Sequence, residues 1–272
     1  MTSHDVVSRC RRIFSQRRVG HGGTLDPDAT GVLLVGLGRA TRLLRFLSEL
    51  PKSYEGEVVL GVATSTLDTA GEVVGRWDMT AVTPDDVRAA AATFVGEINQ
   101  VPPMVSAVQV GGRRLHELAR EGIEVEREPR RVTVYALEVE PAEPCVYRIR
   151  VRCSAGTYVR TLAADLGTAL GGGAHLRALR RTAVGPFEAA IARPLDQVSV
   201  ADVLPPAEAL RGRPAVAVDD DVAAAVAHGK VLDRTVLAVD GDGPWAILDS
   251  GGNLLAVYEP YGQRAKPAVV LA

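Results

Sequence analysis

Apolar side chains recur along this chain at two spacings, and the points where one spacing gives way to the other mark its elements. Val6, Val7, Cys10, Ile13 and Phe14 fall on one face of a helix, with Arg9, Arg11 and Arg12 off that stripe. Thr2 followed by Asp5 three residues later is the pattern of a capped helix start. Residues 20–31 read as an ordered, glycine-rich loop. Residues 54–60 alternate as a strand, and residues 71–76 are expected as its partner. Thr83-Pro84-Asp85-Asp86 opens a second helix, with Thr as cap, Pro in the first turn and two acids at the positive end of the dipole. That helix is predicted to run through the alanines to Val95. Pro102-Pro103 breaks the next stretch, and residues 113–121 form a short helix stopped by Gly122. Strands are expected over 131–139 and 147–153, a helix over 157–170 and a basic strand over 175–184. Strands and helices mix here without a regular βαβ rhythm, which predicts an α+β fold around a mixed, mainly antiparallel sheet.

The pattern changes near Pro214. Residues 211–214 are a Gly/Pro-punctuated linker, and short strands are expected beyond it at 236–239, 245–248 and 254–258, with Gly-Asp-Gly and Ser-Gly-Gly turns between them. A small β-barrel fits that spacing. The expected organisation is therefore a domain over 1–213 and a second over 214–272.

Charge sharpens this division. The chain of 272 residues has a net charge of −2, which taken whole argues against a nucleic-acid partner. Its distribution argues the other way: Lys230, Arg234, Arg264 and Lys266 are the only basic residues from Pro214 onward, against twice as many acids. Arginines cluster before that point, notably at Arg9, Arg11 and Arg12 and at Arg177, Arg180 and Arg181. Such clusters suit phosphates, although a solvated helix face gives the same pattern. Cys10, Cys145 and Cys153 are scattered with no CxxC pair, so neither a disulfide framework nor a zinc site is expected. No apolar run reaches membrane-spanning length, and residues 1–5 lack the regions of a signal peptide, so the expected location is the cytoplasm.

The densest chemistry lies at Gly20-His21-Gly22-Gly23-Thr24-Leu25-Asp26-Pro27-Asp28-Ala29-Thr30-Gly31. Its glycines let the backbone turn tightly and approach a ligand, and the proline biases Asp26 to an extended conformation from which a carboxylate can enter a cleft. Taken alone, Asp-Pro is a turn signal and His21 a packing or capping residue.

The whole segment, followed by Leu37-Gly38-Arg39-Ala40-Thr41, resembles the signature of the TruB family, which isomerises a uridine in the T-loop of tRNA to pseudouridine. Further matches follow in order: Ser53-Tyr54-Glu55-Gly56, Asp68-Thr69-Ala70-Gly71, Gln100-Val101-Pro102-Pro103, Ala119-Arg120-Glu121-Gly122, then the stretches from Cys153 to Thr161 and from Ala174 to Arg181. The likeness covers about residues 1–199. Beyond Pro214 the tail is similar to the small PUA-like RNA-binding barrel that closes many members.

The resemblance implies roles for particular residues. Asp26 matches the essential carboxylate, acting as a nucleophile on the ribose or as a base that removes a ribose proton. Arg160 matches the arginine beside it, Tyr54 the residue that stacks on an extruded base, and Tyr158 and Leu179 the lining of the same pocket. His21 matches a residue that fills space left by flipped nucleotides. Arg9, Arg12, Arg177, Arg180 and Arg181 are candidates for RNA phosphates. No metal, redox cofactor or nucleotide is implied, and the expected partner is the T-arm of tRNA, bound by a monomer with no obligate protein partner and no membrane.

The family pattern also places a strand and a Lys-Pro segment ahead of Thr2-Ser3-His4, whereas Met1 stands at an internal position of that segment, as in a shortened form or one with a shifted start. Gly22 replaces a frequent Thr, Ser65 an Asp, Gln109 a Lys and His116 a Tyr. Two other readings remain open: a tRNA-binding or tRNA-folding protein without turnover, and the catalytic subunit of a guide-RNA particle. The acidic tail and the lack of a basic extension count against the second.

Overall fold

The computed structural model describes residues 1–271. It divides into two compact units. One is made of Thr24–Val32 and Glu49–Ile191; the other of Met1–Gly23, Leu33–Ser48 and the chain from Ala192 onward.

The first unit is built on a seven-stranded sheet. Its strands run in the order Phe187–Glu188, Ala174–Val184, Lys52–Leu60, Val146–Cys153, Arg130–Glu143 and Gly96–Gln100, all neighbours antiparallel. Thr30–Gly31 adds a short parallel pairing to Ala174–Val184. The period-2 pattern explains one buried face. Tyr147, Ile149, Val151 and Cys153 alternate inward with Arg148, Arg150 and Arg152 outward, so that the inner row joins Val58, Leu60 and Leu176 in the core. The helix Val159–Ala169 packs its apolar stripe, Val159, Leu162, Ala163 and Leu166, into the same core. The helix Pro84–Ala92 adds Val87 and Ala91 and begins at Thr83, in a capping box with Asp86.

Residues 71–76 do not pair with the 54–60 strand. Val73–Arg76 instead forms a small ladder with Val62–Thr64, because both edges of Lys52–Leu60 are taken by Val146–Cys153 and Ala174–Val184.

In the second unit the opening helix spans Ser3–Ile13, with Thr2 and Asp5 closing a capping box and Val7 and Cys10 buried against Val19. The C-terminal part carries a five-stranded sheet in the order Ala215–Ala217, Trp245–Leu248, Leu254–Tyr261, Arg264–Val270, Leu232–Asp233, around Trp245, Ile247 and Tyr258. The strand expected over 236–239 is a run of turns, in which Leu237 and Val239 donate backbone N–H groups to Asp233 and Arg234. Both side chains are buried, so two apolar anchors of a compact turn produced the alternation expected of a strand. The architecture is α+β with a mixed sheet, as expected. Among the described residues no helix is long and apolar enough to cross a membrane.

Candidate active site

The Asp26 loop is tied to one strand by backbone pairing at its C-terminal end, and at its start by the Arg181 side chain, which donates to the Thr24 carbonyl at 3.2 Å. Thr30–Gly31 runs parallel to Arg180–Arg181, and the Val32 amide donates to the Arg181 carbonyl at 2.9 Å. Gly31 has φ +102°, and a Cβ there would lie 2.1 Å from the Arg181 carbonyl oxygen, so only glycine allows this approach. Just before the backbone pairing the chain turns, with the Ala29 amide on the Asp26 carbonyl at 3.0 Å.

Arg160 comes from the first turn of the Val159–Ala169 helix. The start of that helix is fixed by a side chain from the sheet edge. Gln100 is 1% exposed, and its amide donates to the Tyr158 carbonyl at 3.2 Å and accepts from the Tyr158 N–H at 3.0 Å. The pair of bonds imitates a backbone ladder: it satisfies the Tyr158 N–H, which has no partner within the helix, and adds a second bond to a carbonyl that already accepts from Leu162.

Arg160 then meets Asp26 in a bidentate pair, Nε to Oδ2 at 2.9 Å and Nη2 to Oδ1 at 3.0 Å. Its remaining donors reach the Thr66 carbonyl at 3.1 Å, the Val105 carbonyl at 2.9 Å and Asp68 Oδ2 at 3.3 Å. The Arg160 side chain is 4% exposed and that of Asp26 is 37% exposed, so the guanidinium is enclosed while the carboxylate keeps an open side. Asp68 is itself held by the Thr66 hydroxyl and the Ala70 amide.

Burial raises the Asp26 carboxyl above the ordinary aspartate range; Arg160 pulls against that shift and the Asp68 charge adds to it. The guanidinium thus aims the carboxylate without cancelling the cost of its desolvation. A more basic carboxylate is a stronger proton acceptor.

A pocket of about 140 Å³ opens on this pair. Asp26, Asp28, Thr66, Asp68, Arg160 and Leu179 are among its lining residues. Leu179 and Ala178 also border a groove of about 520 Å³, whose walls include Glu55, Glu57, Glu138, Arg148, Arg150 and Arg180. Tyr54 does not line the small pocket. It stands on the neighbouring strand, half-buried, with its hydroxyl hydrogen-bonded to Arg181, and burial pushes its phenol up. Tyr158 is half-buried at the helix start. His21 lies in the second unit on the strand Val19–His21, opposite Val35.

The arginine candidates separate by environment. Arg9, Arg12 and Arg180 are exposed. Arg177 is paired with Glu57 at 2.9 Å and Glu143 at 3.0 Å. Arg181 is 1% exposed. Sequence reasoning picked out Asp26, Arg160 and Leu179, which the fold brings to one pocket. It noted Asp68 and Gln100 only as parts of motifs, and gave Thr66 and Val105 no role.

Three family models cover nearly the whole chain. The N-terminal domain of TruB family pseudouridylate synthase matches residues 11–159, the tRNA pseudouridylate synthase B C-terminal domain residues 160–211, and the C-terminal model of tRNA pseudouridine synthase II residues 214–272. A tRNA pseudouridine synthase B of Symbiobacterium thermophilum is 52% identical over 84% of this chain and 78% of its own length. One of Mycobacterium bovis is 44% identical over 100% of this chain and 92% of its own. Among solved structures, an H/ACA RNP bound to a substrate RNA containing 2'-deoxyuridine superposes with a TM-score of 0.75 at 27% identity, covering 100% of this chain and 82% of that one. A Cbf5–Nop10–Gar1 complex gives 0.72 at 30% identity, covering 95% and 74%. With its fold and its sequence pointing the same way, the chain belongs to the TruB family of tRNA pseudouridylate synthases, which are isomerases.

Proposed function

We propose that this chain converts uridine 55, in the T-loop of tRNA, to pseudouridine, with Asp26 as the catalytic carboxylate. The observation that carries the reading is the bidentate Arg160–Asp26 pair on the wall of a pocket, its guanidinium enclosed and its carboxylate open. The target nucleotide leaves the stack, its uracil meets Tyr54 and Leu179, and its ribose faces Asp26. Tyr158, two residues before Arg160, and His21 keep the substrate-binding roles that the family resemblance assigns them.

Two routes fit the carboxylate. As a nucleophile it bonds to the ribose C1′ while N1 of uracil leaves with the electron pair. The base turns, C5 attacks C1′ and displaces the carboxylate, the C5 proton is lost to solvent and N1 takes one up. As a base it removes the C2′ proton while N1 of uracil leaves with the glycosidic electron pair, and returns a proton to C2′ when the C5–C1′ bond forms; as in the first route, the C5 proton is then lost to solvent and N1 takes one up. Neither route consumes a cofactor or changes oxidation state.

The exposed Arg9, Arg12 and Arg180 supply phosphate contacts, with Arg177, paired to Glu57 of the groove wall, as a further candidate. Residues 214–272 act as the PUA-like RNA-binding part, and residues 1–213 as the catalytic part. The protein works as a monomer in the cytoplasm, with no protein partner required.

The test is to incubate the purified chain with unmodified tRNA and map the rearranged base. Pseudouridine at position 55 is expected, with binding that weakens steeply as salt rises because phosphate contacts release counterions. Tight tRNA binding with no pseudouridine in any position would replace this reading with that of a tRNA-folding protein.

A further inference from the structure

Arg181 sits where two pairings of the Ala174–Val184 strand meet. On one side its backbone pairs with Gly31 of the Asp26 loop; on the other it stands opposite Tyr54. Its side chain follows both. Nε donates to the Val32 carbonyl at 2.7 Å, Nη1 donates to the Thr24 carbonyl at 3.2 Å, and the guanidinium hydrogen-bonds the Tyr54 hydroxyl. Thr24 and Val32 bracket the loop that carries Asp26. At 1% exposure the group is closed to solvent.

An arginine this deep is costly unless its donors are used. Here they are spent on the loop ends and the phenol, leaving no face for a phosphate. Lys52, on the same strand two residues before Tyr54 and 6% exposed, is a second buried cation nearby. Burial, and then repulsion from Arg181, push its ammonium down to about 8. Holding one cation beside another in the protein interior adds to the cost of keeping Arg181 there.

We propose that Arg181 is a positioning residue for the isomerisation, a single guanidinium that sets the Asp26 loop and the Tyr54 hydroxyl relative to each other. This replaces the phosphate contact expected from its place in a basic run, and it rests on the proposed roles of Asp26 and Tyr54. Planar geometry suits the task, since one rigid fork reaches three acceptors in different directions, which an ammonium on a flexible stem does not do. A small misplacement of the carboxylate relative to a stacked base is enough to slow the reaction substantially.

The test uses the full chain and unmodified tRNA, with single-turnover rates and tRNA Kd measured for Arg181→Lys, Tyr54→Phe and the double variant. Arg181→Lys is expected to slow the reaction by about 50-fold, the scale of an ångström-sized misplacement, with Kd kept within about 2-fold. Tyr54→Phe should lose about 10-fold, the lower end of the scale for a hydrogen bond to a charged group. The double variant should be no slower than Arg181→Lys by more than about 2-fold, because the phenol has already lost its partner. Losses that multiply would overturn the link, and so would weakened binding with an unchanged rate at saturating tRNA, the signature of a phosphate contact.

If Arg181→Lys does not fold, Gly31→Ala perturbs the same tie from the loop side, where its Cβ meets the Arg181 carbonyl. It should reproduce the rate loss with affinity kept, and a full rate in that variant would also overturn the proposal. A parent chain with no turnover sinks the isomerase reading itself and the proposal with it. A turning-over parent whose losses multiply sinks the proposal alone.

Discussion

Two arginine–carboxylate clusters in the first unit have the same contact distance and opposite character. Arg160 reaches Asp26 at 2.9 Å, and Arg177 reaches Glu57 at 2.9 Å; each also touches a second acid, Asp68 in one case and Glu143 in the other. Arg160 is 4% exposed and is braced by the backbone carbonyls of Thr66 and Val105. Arg177 is 34% exposed and sits at an irregularity in the strand register, between Leu176 and Ala178, and its guanidinium bonds to the carboxylates of Glu57 and Glu143. Distance therefore says little about function here. What distinguishes the catalytic candidate is an enclosed, fully engaged cation facing a carboxylate that remains open to a pocket. The other cluster is the kind of surface pairing that solvent screens and stability barely registers.

The strongest way to break this contrast is Asp26→Asn. The amide keeps the shape but cannot act as nucleophile or base, so pseudouridine formation should fall by about a thousandfold or more, while tRNA Kd stays nearly unchanged. Substantial turnover in that variant, followed by base mapping, would remove Asp26 from the chemistry.

Next comes Arg160→Met. It leaves Asp26 and Asp68 facing one pocket without their cation, and a loss of roughly a hundredfold in rate is expected, the scale of removing one preorganised electrostatic partner. Its sharper reading is in pH. The parent carboxyl is already raised by burial, so the acid limb of kcat/KM should fall at a higher pH than the ~3.9 of a free aspartate. Removing Arg160 takes away the group that lowers it, and the limb should move further up. For stability the sign is the reverse of the usual carboxylate case. A raised carboxyl favours the fold at low pH and loses that contribution as pH rises through its folded value. An acid limb that stays put in Arg160→Met would show that the pair does not govern the titration.

Much of this site was legible because a long glycine-flanked motif and a distant arginine carry recognisable side chains. What escaped was contact with the backbone. The carbonyls of Thr66 and Val105 complete the Arg160 cage, and a carbonyl leaves no mark in a sequence. Gln100 was read only as the start of a Gln-Val-Pro-Pro match, since one glutamine at a strand end does not announce that its amide will clasp Tyr158. Local capping was easier: Thr2 with Asp5 and Thr83 with Asp86 closed as expected, because every partner lies within one turn. Pairing failed where it depended on competition. Residues 71–76 were assigned to the nearest strand, whose edges two stronger partners occupy.

Tyr54, on the strand next to the pocket, tests whether a neighbouring aromatic ring works with the catalytic cluster. Tyr54→Ala should slow turnover by about 50-fold if stacking on the base is its main task, against about 10-fold for Tyr54→Phe. Equal losses would shift the weight from the ring to the hydroxyl and its bond to Arg181.

The smallest effect belongs to the other cluster, and it completes the comparison. Glu143 accepts two bonds from Arg177, which hold its carboxyl below the usual range, with the Arg177 charge adding to the shift. Glu57 also pairs with the same guanidinium, and Glu143 is 58% exposed, so water replaces what Glu143→Gln removes. The melting temperature should stay within about 2 °C of the parent, and the turnover rate should be unchanged because no group near Asp26 has moved. Because the freed Arg177 can turn toward a phosphate, tRNA affinity should hold or rise slightly at low salt. A marked fall in turnover with folding intact would show that the exposed cluster reaches the reaction after all, and that burial alone does not separate the two.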